Sequence, residues 1–141
     1  MLLSPEENVG KIVTALEKYY NVKAKKMDTK YRPVLIIGFE KEYKDKYHVD
    51  YEVLPISSMG ITAPDSDYDT FIQEFERYNL REASYIRTHK TSWINVRQLR
   101  LNNYIINLKE KENDDFESLV RLNQRWVNER TELSCLKTST S

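Results

Sequence analysis

Tyr31-Arg32-Pro33-Val34-Leu35-Ile36-Ile37-Gly38 is the stretch on which the fold turns. Val34 to Ile37 has no polar alternation, is rich in β-branched residues and stops at Gly38, so it reads as a strand buried on both faces. Arg32 stands at its mouth, where a guanidinium can meet water or an anion. Pro33 follows it because the first strand residue need not donate a ladder hydrogen bond. Beyond Gly38, Glu40 to Lys46 is almost wholly charged and suits an exposed hairpin loop leading to a second strand from Tyr47 to Ser57. There Val49, Tyr51 and Val53 alternate with His48, Asp50 and Glu52, marking one wet face before the run turns apolar at Leu54 and Ile56. The two strands are expected to pair, which brings a charge and a hydroxyl to adjoining strand ends.

The N-terminal segment reads two ways. Ser4-Pro5-Glu6-Glu7 spells a capping box, and Val9, Ile12, Val13 and Leu16 recur at helical spacing. Against this, Gly10 interrupts the interior and Ile12-Val13-Thr14 serves equally well as a strand core. Lys23 to Lys30 reads as a basic, solvated connector. Tyr68, Phe71, Ile72, Phe75 and Tyr78 recur at one-turn spacing and predict an amphipathic helix around 66–79. Ala83 to Thr88 and Ser92 to Val96 read as two short strands, while Leu99 and Leu101 either continue a ladder or begin a helical turn. Asn113-Asp114-Asp115 offers an N-cap for a helix around 114–130. Phe116, Leu119, Val120, Asn123, Trp126 and Val127 share one face of it, with Trp126 expected to contribute most to burial. There is no internal repeat: residues 1–134 read as one domain, followed by a polar, disordered tail over 135–141.

A chain of 141 residues falls in the common range for one domain and buries roughly 70% of its unfolded surface. Its charged residues balance to a formal net charge of zero, so no global field attracts nucleic acid and any anion site must be local. No apolar stretch approaches the roughly 20 residues that cross a bilayer, and Met1 to Glu7 lacks the basic-then-apolar order of a signal peptide, so a cytoplasmic protein with no membrane partner is expected. The single Cys135 cannot form an internal disulfide, and no zinc spacing, phosphate-binding glycine loop or nucleophile–base signature occurs. Neither a metal nor a cofactor is expected.

Taken in order, Gly10-Lys11-Ile12-Val13, RPVLIIG from Arg32 to Gly38, VLPISS from Val53 to Ser58, SYIRTHK from Ser84 to Lys90 and the late amphipathic helix resemble the MazF/PemK family of toxins. The likeness covers roughly Gly10 to Val127. It implies an α+β fold built on a small, partly open, mainly antiparallel β-barrel, in which Gly10 to Val13 opens the first strand. It also implies a homodimer, inhibition by an antitoxin protein, and metal-independent endoribonuclease activity on single-stranded RNA. The family's hydroxyl position, often Thr, falls here on Ser57, which keeps a donor and acceptor but loses the β-branch that holds one rotamer. Arg32 and Ser57 are the catalytic candidates by this likeness. Ser58, Arg87, His89 and Tyr31 are the candidates for contacting substrate.

Cleaving RNA through the ribose 2′-hydroxyl needs an acceptor for its proton, positive charge on the phosphorane oxygens and a proton for the leaving oxygen. An arginine fork matches two phosphate oxygens, and Ser57 is placed to hold the phosphate. Arg stays protonated near neutral pH, so the base is unassigned; His48 and His89 titrate there, but sequence places neither beside Arg32. Arg87 and His89 share a strand face if the strand extends that far. Competing readings stay open: Arg32 paired with a carboxylate such as Glu52, Ser57 satisfying a strand-end backbone group, and His89 on the surface. Tyr19, Tyr20, Tyr31 and Trp93 are candidates for stacking on bases. Two other functions remain, a non-catalytic barrel that inhibits a protein partner and a subunit acting only through oligomerisation. A fully sequestered Arg32 with no open groove nearby would favour the first of these.

Overall fold

The computed structural model describes residues 3–58 and 64–130. The expected tail over 135–141, Cys135 within it, and residues 59–63 lie outside the described residues. Four residues after Ser4 form one helical turn, α1 (Pro5–Asn8), where the Ser4 backbone N–H donates to the Glu7 carboxylate. Gly10 then takes a positive φ of 98°, and the chain becomes strand β1 (Lys11–Asn21). Both N-terminal readings therefore hold in part. The capping box is real but Gly10 ends it after one turn, and the β-branched run goes to the sheet. A Cβ at position 10 would lie 2.3 Å from Lys109 Cβ, so the glycine is required by close packing as well as by φ.

β1 hairpins back through residues 22–25 into β2 (Lys26–Phe39), pairing from Ile12↔Leu35 to Asn21↔Lys26. The basic connector expected at Lys23 to Lys30 is thus mostly strand, and Arg32 and Pro33, expected at a strand mouth, lie in mid-strand, because the outward side chains are solvated while the backbone is satisfied across the hairpin. β2 pairs in turn with β3 (Asp50–Ser58) across the charged loop, as the two apolar runs anticipated. Val34, Leu35 and Ile36 are each at most 1% exposed and contribute to two cores on opposite faces. Burial of each such side chain stabilises the fold by about 1.5–3 kcal/mol.

The strands that follow are β4 (Asp69–Ile72), β5 (Ser84–Arg87), β6 (Ser92–Asn95) and β7 (Ile106–Asn107). They complete an α+β fold with a curled antiparallel half-barrel of order β4-β5-β3-β2-β1-β7, with β6 also on β3. The short α2 (Leu108–Lys111) and the long α3 (Asn113–Glu129) come last, and Phe116 and Leu119 of α3 cover the core around Leu35, Leu54 and Ile86. Among the described residues no helix is long and apolar enough to cross a membrane.

Two expectations fail. Residues 66–79 do not form a helix: they give a turn, strand β4, and a single 3-10 turn at Phe75–Tyr78. Asp65 Oδ1 accepts from the Asp67 and Tyr68 amides, closing a turn, and β4 then pairs residue for residue with β5. Phe71 faces its partner Tyr85 with ring centroids 5.2 Å apart rather than a helical neighbour. Cross-strand pairing outweighs a helical periodicity that belonged to several separate elements. On α3, Trp126 is only half-buried and Val127 is 38% exposed. The burial of this helix rests on Phe116, Leu119 and Asn123.

Candidate functional site

The ladder between β2 and β3 runs from Phe39↔Tyr51 to Val34↔Pro55 and then stops. Beyond it, β2 stays on β1 while β3 turns to pair Ile56, Ser57 and Ser58 with β5. The gap between the diverging strands is a cleft of about 730 Å³. Lys30, Tyr31, Arg32 and Pro33 form one wall, Ile56, Ser58 and Ser84 the other, and Asn79 to Glu82 with Arg100 and Ile105 complete the rim. Among the described residues the lining carries four cations, Lys30, Arg32, Arg81 and Arg100, and one carboxylate, Glu82, while Glu17 approaches Arg32 from outside the lining. A chain of zero net charge therefore concentrates positive potential at the point where two strands part.

Each wall is held by the backbone. The Arg100 amide donates to the Thr14 carbonyl at 3.1 Å, which sets its guanidinium 3.8 Å from the ring centroid of Tyr31, itself 50% exposed. Asn79 Nδ2 donates to the Ile105 carbonyl at 3.1 Å, tying two parts of the rim. Arg32 Nε lies 3.1 Å from Glu17 Oε2 without hydrogen-bond alignment, and both side chains are over a third exposed. Such a pair contributes about 0–1 kcal/mol, so a phosphate can displace Glu17.

The structure brings Tyr31, Arg32 and Ser58 to this cleft, but Ser57 does not line it. By strand alternation from the Val34↔Pro55 pair, Ser57 shares the sheet face of Arg32 and Ser58 lies with Ile56 on the opposite face, so Arg32 and Ser58 reach the cleft from different faces of the sheet where the two strands part. Arg87 and His89 are elsewhere: β5 is antiparallel to β3, so Ser84 stands opposite Ser58 and Arg87 is carried to the far end. There Arg87 forks onto Asp69 at 2.9 and 3.2 Å, and His89 Nδ1 lies 3.7 Å from the same carboxylate. Thr88 is fully buried, donating to the Tyr68 carbonyl at 2.6 Å, and Asn123 of α3 donates to the Thr88 carbonyl. Burial pushes the His89 pKa down and Asp69 only partly restores it. Burial alone would raise Asp69, yet the Arg87 fork and the Asp65 amide hold it below the usual carboxylate range. His48 pairs with Asp45 in the exposed loop, 2.9 Å away.

Lys30, Arg81, Glu82 and Arg100 were not anticipated. Only Lys30 had a local signal, as a basic residue two positions before Arg32; the others sit in irregular segments whose pattern says nothing of what they face. Among the described residues no group of three or more His, Cys, Asp or Glu could hold a metal ion. No protein-family model matches the chain, and no curated protein is significantly similar to it.

Proposed function

We propose that the chain binds single-stranded RNA in the cleft between β2 and β3 and cleaves it without metal, as the resemblance to MazF/PemK toxins implies. The observation that supports this most is the cleft itself, with four cations and one carboxylate at a strand divergence in an otherwise neutral chain. Arg32 and Arg100 are the residues we assign to the phosphate, since planar forks match its oxygens and stabilise charge that grows in the phosphorane. Tyr31 offers a face for one base, a contact that contributes about 1–3 kcal/mol in single-strand binders. Glu82, as the carboxylate of the lining, is our candidate to accept the 2′-hydroxyl proton as the 2′-oxygen bonds to phosphorus and the bond from phosphorus to the 5′-oxygen breaks, with Lys30 or water protonating the leaving 5′-oxygen and Ser58 holding a non-bridging oxygen.

The test is a long mixed-sequence RNA incubated with purified protein in chelator. Discrete fragments with 5′-hydroxyl ends are expected, with none from Arg32→Ala and a large rate loss from Glu82→Gln. Cutting by Arg32→Ala at the wild-type rate would remove the assignment. A second reading, a non-catalytic module that holds its ligand in the same cleft, draws on the Arg32–Glu17 ion pair, which occupies the guanidinium when the cleft is empty. Tight oligoribonucleotide binding with no cleavage would select it.

A further inference from the structure

A separate groove of about 460 Å³ lies between α3 and the sheet, walled by Ile37, Val120, Gln124 and Val127, and it holds one carboxylate, Glu52. Glu52 is on the central strand β3, with Gly38 of β2 as its partner on one side and Trp93 of β6 on the other. Direct cross-strand partners share a sheet face, with Cβ atoms about 5 Å apart. The Glu52 carboxylate lies over Gly38, where a Cβ would stand 3.4 Å from Oε1, in ordinary contact. Trp93 is 55% exposed and Val127 38% exposed, so aromatic and apolar surface flanks the acid without being covered.

None of the ion pairs among the described residues includes Glu52, which one of the open sequence readings offered as a partner for Arg32. Burial raises its pKa and no neighbouring charge acts on it. Glu52 is thus a half-buried acid with no cation paired to it among the described residues, beside an exposed indole and an apolar wall, and a positive group seated there would offset the cost of its burial. A guanidinium suits this better than an ammonium, because it is more weakly hydrated, stacks on an indole and bonds a carboxylate through its fork.

We propose that this groove is a docking site for an arginine side chain of a partner polypeptide, with Glu52 pairing the guanidinium, Trp93 stacking on it, and Ile37 and Val127 receiving the flanking apolar residues. The site is distinct from the cationic cleft and does not depend on the function proposed there.

The test uses the full chain carrying Trp126→Phe, so that Trp93 is the only indole, and titrates it with acetyl-Leu-Ala-Arg-Ala-Leu-amide and with the same peptide bearing citrulline. The arginine peptide is expected to shift the Trp93 emission and to bind about tenfold more tightly than the citrulline peptide. Glu52→Gln, which removes an unpaired charge and is expected to fold at least as well, should abolish that difference. Equal binding of the two peptides, or no change in Trp93 emission with either, would overturn the proposal.

Discussion

Arg32 and Arg87 are the same side chain on two strands of one half-barrel, and the fold uses them in opposite ways. Arg32 is 40% exposed, paired obliquely with a Glu17 that is itself 36% exposed, and borders an open cleft. Arg87 is 21% exposed and forks onto an Asp69 with no exposure at all. The first pair is cheap to break and leaves a guanidinium available to an anion. The second is a closed junction that joins β4 to β5 beneath α3, where Asn123 binds the Thr88 carbonyl. What separates an accessible arginine from a locked one here is the burial of its acid, not the arginine or its strand.

The sharpest way to break this contrast is Asp69→Asn. Losing one partner of a buried pair strands the other, so unfolding free energy from denaturant titration should fall by about 3 kcal/mol, with oligoribonucleotide affinity of the folded protein unchanged. Arg32→Ala should do the reverse. Affinity for a short oligoribonucleotide should drop about tenfold or more, as expected for loss of charge-assisted hydrogen bonds, while stability moves by less than about 1 kcal/mol. Glu17→Gln removes the competitor of phosphate and should tighten the same binding about threefold at low salt, an advantage that fades as ionic strength rises.

The smallest effect sharpens the closed side. Burial holds the His89 pKa below its ordinary 6.5, so the unfolded chain takes up the proton first. This residue therefore costs the fold nothing above that pH and lowers its stability as the pH falls below it. Denaturant midpoints between pH 7 and pH 5 should decline more steeply in the wild type than in His89→Gln. A steeper decline in the variant would show that Asp69 outweighs desolvation.

Much of the frame was legible in the chain. The uninterrupted Val34 to Ile37 run, the charged loop after it and the alternation at Val49, Tyr51 and Val53 each report burial of the residue that carries them. The β2–β3 hairpin followed directly. The segment around Tyr68 to Tyr78 was misread because its apolar residues serve three different elements, and a count of spacings cannot tell one helix from a turn, a strand and a 3-10 turn in succession. The cleft was legible only at Tyr31, Arg32 and Ser58, since Arg100 and Glu82 reach it from segments with no periodic signature.

Local sequence by itself determined that Val34 to Ile36 and the Val49, Tyr51 and Val53 positions are buried, but it set Arg32 at the mouth of a strand that the β1 hairpin extends back to Lys26. Tertiary structure alone decided that β3 leaves β2 after Pro55, that Ser58 rather than Ser57 faces the gap, and that Glu17, not Glu52, stands beside Arg32. The physical reason is that burial is a property of each residue's own neighbourhood in the chain. A charge's partner is set by pairing between strands distant in sequence, where a one-residue change of register exchanges one face for the other.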